Sequence, residues 1–287
     1  MTHYIGRKGY SIYKESFTQT QLHEFRKNLT VKPNQGANGF VSNIQYPIYR
    51  ESSSKMYLPR YYGLEHIGRC ERNLLAQGMP IDLEFKGDLF EYQKNIVNKY
   101  VQHVGESGGG LLDVEPGKGK TVMALKILSQ LKRKTLVVVH KTFLLNQWKE
   151  RIMQFLPEAK VGMIQGQVID IEDKDIVIGM LQTLSTKDFS EDIIKQFGLT
   201  IYDECHHLSA EVFSNVMIRI HTNYILGLSG TMTRKDGLTK VFKYFIGPVV
   251  HKEKTDVSTQ VLIKTILFDD PYNDEYNDVE TDFKGNP

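Results

Sequence analysis

Two short strings hold most of the chemistry that this chain can do. Gly117-Lys118-Gly119-Lys120-Thr121 follows the apolar run Leu111-Leu112-Asp113-Val114, and Asp203-Glu204-Cys205-His206-His207 follows Leu199-Thr200-Ile201-Tyr202. A Gly-rich turn between a strand and a helix points backbone N–H groups inward, with the positive end of the helix dipole behind them, and such a nest holds phosphate. Pro116, Gly117, Lys118 and Gly119 supply the turn. Lys120 is suited to neutralise the β and γ phosphates, and the Thr121 hydroxyl to ligate Mg²⁺, a hard cation that prefers oxygen. Asp203 would hold the same Mg²⁺ through water. Glu204, one residue further from the strand, would orient and deprotonate the attacking water. The geometry predicts hydrolysis of a nucleoside triphosphate with Mg²⁺ as the metal. In the usual G-x-x-x-x-G-K-[ST] pattern the first glycine falls at Val114, so the loop alone is the weaker signal. A solvated turn and a solvated strand cap would account for each string singly. Both placed after apolar strands, in this order, point to one site.

Taken together, these strings resemble the first motor domain of a superfamily 2 DNA or RNA helicase, with Asp-Glu-x-His as its second motif. The resemblance runs from about Asp88 to Lys254 and extends to further segments. Phe90-Glu91-Tyr92-Gln93 precedes the loop, where the family has an aromatic and a glutamine; the match implies that Gln93 reads the adenine edge with Tyr92 beside it. Ser229-Gly230-Thr231 follows Tyr224-Ile225-Leu226-Gly227-Leu228 and matches the third motif, which links hydrolysis to nucleic-acid movement. By the same match, His207 would bridge the second and third motifs, or His206, which fills the strict Asp-Glu-x-His slot. His140-Lys141-Thr142 after Thr135–Val139, and Gly179-Met180-Leu181-Gln182-Thr183 after Ile176–Ile178, match segments that touch the nucleic-acid backbone. Lys141, Thr142, Gln182 and Thr183 are the implied phosphate contacts. Ordinary loop chemistry, including a helix N-cap by Thr142, is the other reading. Tyr46-Pro47-Ile48-Tyr49 and Leu58-Pro59-Arg60-Tyr61-Tyr62-Gly63 ahead of the motor resemble helicases of large DNA viruses, a group similar to the poxvirus transcript-release helicase and to phage branch-migrating helicases.

The resemblance also implies partners. Nucleic acid is one, with DNA favoured over RNA; a second RecA-like domain, in cis or in trans, is the other, and it would bring arginines to the γ phosphate. Such a domain is not expected within this chain, so the expectation is the N-terminal motor half of a helicase or translocase that binds ATP, hydrolyses it weakly alone and does not unwind. The competing class is a nucleic-acid-binding module switched by nucleotide. A small-molecule kinase has no reason to have the 203–207 and 229–231 strings together.

These residues need a scaffold. Apolar runs around Leu111, Val137, Ile178, Ile201 and Leu226, with a further strand at Lys160 to Gln165, alternate with helical stretches; Ile96, Val97, Tyr100, Val101 and Val104 show helical spacing. That alternation predicts an α/β fold: a RecA-like parallel sheet with helices on both faces and ligands at the carboxyl ends of its strands. Trp148, Leu144, Leu145, Ile152 and Phe155 read as core, without chemistry.

The expected division is a small N-terminal α+β domain at 1–86, the motor at 87–256, and a strand (Val261 to Phe268) plus acidic flexible tail at 257–287, the start of a second motor domain. The N-terminal part reads as a helix over Thr18 to Asn28, a turn cluster over Pro33 to Gly39, and extended segments at Phe40 to Tyr49 and Lys55 to Tyr62. Residues 1–86 have twelve Lys or Arg against seven Asp or Glu, and eight of the fifteen tyrosines. Basic charge with aromatics suits phosphate contact and base stacking, and equally a solvated face over a tyrosine-rich core. Two cysteines are too few for a disulfide framework or a structural zinc site. No apolar run approaches the roughly eighteen residues that would span a bilayer. An intracellular soluble protein is expected, in host cytoplasm or virion if viral, with no membrane partner.

Overall fold

The computed structural model describes residues 3–32, 45–70, 72–204, 210–230 and 239–253, the side chains of 210 and 211 excepted. First come β1 (His3–Gly6), β2 (Gly9–Tyr13), a 3₁₀ turn at Lys14–Ser16 and α1 (Gln19–Asn28), then β3 (Thr30–Val31), β4 (Tyr46–Pro47), β5 (Arg50–Glu51), β6 (Lys55–Leu58) and α2 (Arg60–His66). The strands make an antiparallel sheet in the order β1-β2-β6-β5, with β3 and β4 paired separately. Thr18 starts α1 with a reciprocal cap: its Oγ1 accepts from Gln21 N at 3.2 Å, and its own N–H donates to Gln21 Oε1 at 2.9 Å.

One expectation needs correction. Lys55 to Tyr62 is not extended throughout, because pairing stops at Leu58 and Arg60–His66 is helical. The aromatic pair Tyr61-Tyr62 favours a strand locally, but tertiary packing decides: fully buried Tyr62 meets Phe25 and Tyr244 edge-on. The turn cluster at 33–39, the first part of the stretch at 40–49, the strand at 261–268 and the acidic tail lie outside the described residues.

The larger part follows as α3 (Glu91–Ser107), β7 (Gly109–Asp113), α4 (Lys120–Leu131), β8 (Thr135–Val139), α5 (Thr142–Phe155), β9 (Val161–Gln165), β10 (Val168–Asp170), β11 (Ile176–Met180), α6 (Leu181–Thr186), α7 (Glu191–Lys195), β12 (Leu199–Tyr202), α8 (Ala210–Arg219), β13 (Tyr224–Ser229), α9 (Thr239–Ile246) and β14 (Val249–Lys252). The strands form an eight-stranded sheet in the order β10-β9-β11-β8-β12-β13-β7-β14, parallel everywhere except at the β9–β10 hairpin. β10 and β14 extend its two edges beyond the strands read from sequence.

Both faces of the sheet are covered, which is why its strands are apolar runs without alternation. Leu136 and Val138 share a core with Leu184, Phe213, Phe242 and Phe245, whereas Val137 and Val139 share the other with Tyr100, Met123, Leu128 and Trp148. The first core also takes in Tyr10, Ile12, Phe25 and Tyr62, so the N-terminal module and the sheet are packed into one unit. A buried cation joins them: Arg60 donates to the carbonyls of Asn223 (2.9 Å) and Ser107 (3.2 Å), which take up charge that would otherwise be unmatched. No helix among the described residues is long and apolar enough to cross a membrane.

Candidate nucleotide and nucleic-acid site

At the carboxyl end of β7 the chain turns through residues 114–119 and enters α4 at Lys120, so the first amides of α4 face the turn. Val114 N–H donates to Ser229 O (2.9 Å), fixing the loop against β13. Gly119 caps α4 at φ +80°, and a Cβ there would lie 2.5 Å from Gln93 Nε2, so both conformation and space call for glycine. Lys120, 8% exposed, places Nζ 3.2 Å from Val114 O and 3.2 Å from Glu204 Oε1. Gly230 closes the same spot: a Cβ there would lie 3.1 Å from both Lys120 Nζ and Pro116 Cδ. Thr121 lies in the first turn of α4.

The acids leave β12 beside this loop. Asp203 N–H donates to Val138 O (3.1 Å), and its carboxylate, 6% exposed, accepts a 2.8 Å hydrogen bond from Trp148 Nε1 at Oδ2. Burial pushes the Asp203 carboxyl above its ordinary range; the Trp148 N–H opposes that, the Glu204 charge adds to it, and Lys120 opposes it. Glu204 has φ +47°, a left-handed conformation costing a side-chain-bearing residue about 1–2 kcal/mol. That turn takes the chain out of the strand and leaves the Glu204 carboxylate against Lys120.

Gln93 and Tyr92 reach the loop from the start of α3. Gln93 Oε1 accepts from Phe90 N (3.0 Å), and Gln93 Nε2 donates to Lys118 O (3.1 Å), an acceptor it shares with the Tyr92 hydroxyl (3.1 Å). Phe90 and Tyr92 are stacked at 5.9 Å and are 70% and 40% exposed, leaving aromatic surface beside the loop. Glu253 holds the loop from the other side, accepting from Glu115 N–H at 3.2 Å and lying 3.7 Å from Lys118 Nζ.

The four residues matched to the nucleic-acid backbone lie at the carboxyl ends of β8 and β11, and the β9–β10 hairpin ties them together. Gln165 Nε2 reaches Thr142 Oγ1 at 3.5 Å, Gly166 N–H donates to Thr183 Oγ1 at 3.0 Å, and Gln182 Nε2 donates to His140 O at 3.0 Å. Lys141 Nζ lies 5.8 Å from the centre of the exposed Phe143 ring. Thr142 is not the N-cap of α5; Lys141 holds that position, without a side-chain cap bond, because the helix begins one residue earlier than the apolar spacing indicates. Ser229 ends β13, fully buried. Cys205, His206, His207 and Thr231 lie outside the described residues.

Two contacts escaped the sequence reading. Trp148 packs in the core as expected, yet its indole N–H is spent on Asp203; the signal was that a buried tryptophan N–H needs a partner, which spacing cannot name. Glu253 had no signal, its contact depending on the pairing of β14 with β7. Among the described residues no three His, Cys, Asp or Glu side chains gather as a metal cage. The donor set fits Mg²⁺ nonetheless, since this ion keeps several waters and takes one or two carboxylates plus phosphate oxygens. Asp203 and Thr121 are the residues that could hold it, and a Cβ at Gly117 in the turn would meet nothing within 4 Å.

Residues 86–234 match the family described as type III restriction enzyme, res subunit. Mimivirus protein L396 (Acanthamoeba polyphaga mimivirus), named as an ATP-dependent RNA helicase, is 33% identical over 92% of this chain and 52% of its own length. The DNA 3'-5' translocase XPB2 of Sulfurisphaera tokodaii is 33% identical over 69% of this chain and 43% of its own. The chain thus spans about half the length of these curated relatives. The crystal structure of the UvsW helicase from bacteriophage T4 superposes with TM-score 0.61 at 16% identity, covering 86% of this chain and 98% of that one, a likeness of fold. With half of its residues matched by the family, the chain belongs to the type III restriction enzyme res-subunit family.

Proposed function

We propose that this chain is the nucleotide-binding motor half of an ATP-dependent helicase or translocase that couples ATP hydrolysis to movement along nucleic acid, DNA before RNA. One observation carries the reading: the Lys120 ammonium lies 3.2 Å from the Glu204 carboxylate, at the end of a glycine-lined turn and next to Asp203 in sequence. Residues 87–256 are assigned to the motor and 1–86 to an accessory module. The loop amides and the α4 N-terminus receive the phosphates; Lys120 exchanges Glu204 for phosphate oxygen. Freed, the Glu204 carboxylate accepts a proton from a water placed for in-line attack on the γ phosphorus. Asp203 and Thr121 would hold Mg²⁺, which when bound would neutralise charge on the phosphates. Tyr92 and Gln93, already bonded to Lys118 O, link the base side of the site to the loop. Lys141, Thr142, Gln182 and Thr183 touch backbone phosphate. The residues of the third motif, Ser229 and Thr231, with His206 or His207, pass the state of the γ phosphate to that grip. A second RecA-like domain, in cis or in trans, completes the site with arginine.

The test is ATP turnover of the full-length gene product, wild type and Glu204→Gln, against duplex, forked and single-stranded DNA and RNA. Turnover stimulated by a polymer and lost in Glu204→Gln is expected. Nucleotide binding with turnover unchanged in Glu204→Gln would leave a nucleotide-switched binding module instead.

A further inference from the structure

We propose that Trp148 is a positioning residue for the metal-holding carboxylate: its indole N–H holds Oδ2 of Asp203 and so sets the orientation in which that carboxylate would meet Mg²⁺. The role rests on the reading of Asp203 as the holder of Mg²⁺. Trp148 is 1% exposed, midway along α5, and its ring is packed among Leu144, Leu145 and Ile152. The Nε1–Oδ2 distance of 2.8 Å lies in the short range of bonds to an ionised acceptor. An indole N–H only donates, so it neither competes for a cation nor accepts from the metal's waters. The Asp203 backbone is already fixed by Val138 O. With the backbone held by Val138 and the carboxylate held by Trp148 and by the Glu204 backbone N–H, the side chain is kept in one orientation. Partners of this kind, one step removed from the metal, characteristically orient the ligand and account for much of its affinity. The donor is on the helix that starts at Thr142, one of the residues assigned to backbone phosphate, so the element that begins at the nucleic-acid segment also holds the carboxylate of Asp203.

The chain has a single tryptophan, which makes a clean substitution possible. Expression in a tryptophan-requiring host supplied with benzothienylalanine replaces the ring N–H by sulfur at this position only, keeping the bicyclic shape. Binding of a fluorescent nonhydrolysable ATP analogue to the full chain is read by anisotropy, as a Mg²⁺ titration and in EDTA. The Mg²⁺ concentration at half-saturation should rise by about tenfold or more, with affinity in EDTA unchanged, and Trp148→Phe should shift it in the same direction. A purely packing role predicts that the analogue-containing protein follows wild type in both conditions, and that result overturns the proposal. Asp203→Asn separates the failures. If it abolishes Mg²⁺ dependence while the analogue does not shift it, only the role of Trp148 falls; if neither has an effect, the assignment of Asp203 to the metal falls and takes this role with it.

Discussion

Lys120 Nζ stands 3.2 Å from Glu204 Oε1, so the cation that the proposed function assigns to the phosphates is held by the acid that it assigns to the water. On the proposed function, nucleotide displaces this pair and frees the Glu204 carboxylate for the attacking water. Glu204→Gln removes the competing charge while keeping the side chain's size. Nucleotide affinity, measured by titration, should therefore be equal to or tighter than wild type, while turnover falls by about 10²-fold or more. Weaker binding would show that Glu204 serves the loop's structure and not the chemistry.

Gly119 and Gly230 are expected to fail differently. Gly119→Ala forces a side chain into φ +80° and onto Gln93 Nε2, so thermal unfolding should show a loss of about 1–2 kcal/mol together with weaker nucleotide binding. Gly230→Ala meets Lys120 Nζ and Pro116 at 3.1 Å without a positive φ, so it should lower turnover with little change in unfolding.

Gln93 has one amide for two tasks, the observed bracing of Lys118 O and the proposed reading of the base. Gln93→Ala should weaken ATP binding about tenfold and erase preference for ATP over pyrimidine triphosphates in competition binding. Retained preference at reduced affinity would confine Gln93 to bracing the loop.

In the N-terminal module, hydrogen bonds from Arg26 and Lys14 pull the Glu51 carboxyl from its ordinary 4.5 down to about 2, against the burial that raises it. A depressed carboxyl contributes stability above its unfolded value and loses it as pH falls toward the folded one. The melting-temperature difference between wild type and Glu51→Gln should be present at neutral pH and close between about pH 4.5 and about 2. The pair is part-exposed, so the difference should be small and diminish with salt.

The sheet was legible because its strands are buried on both faces and read as unbroken apolar runs, and the loop because phosphate binding requires small residues and a lysine at fixed spacing. α2 was not: Pro59 and two tyrosines look extended until Tyr62 is seen wedged between Phe25 and Tyr244. β14 is four residues long and depends on β7 for its place. Contacts such as Trp148 to Asp203 or Glu253 to Glu115 join positions far apart in sequence. Spacing indicates which side chains can do chemistry; only the fold shows which others hold them in position.

The most direct test of the whole account is equilibrium binding of a nonhydrolysable ATP analogue to wild type, Lys120→Ala and Asp203→Asn, each with and without Mg²⁺. Loss of Lys120 should weaken binding by at least about tenfold in both conditions, and loss of Asp203 should remove the strengthening by Mg²⁺ alone. A Lys120→Ala protein that binds as wild type does would contradict the assignment of this loop to phosphate.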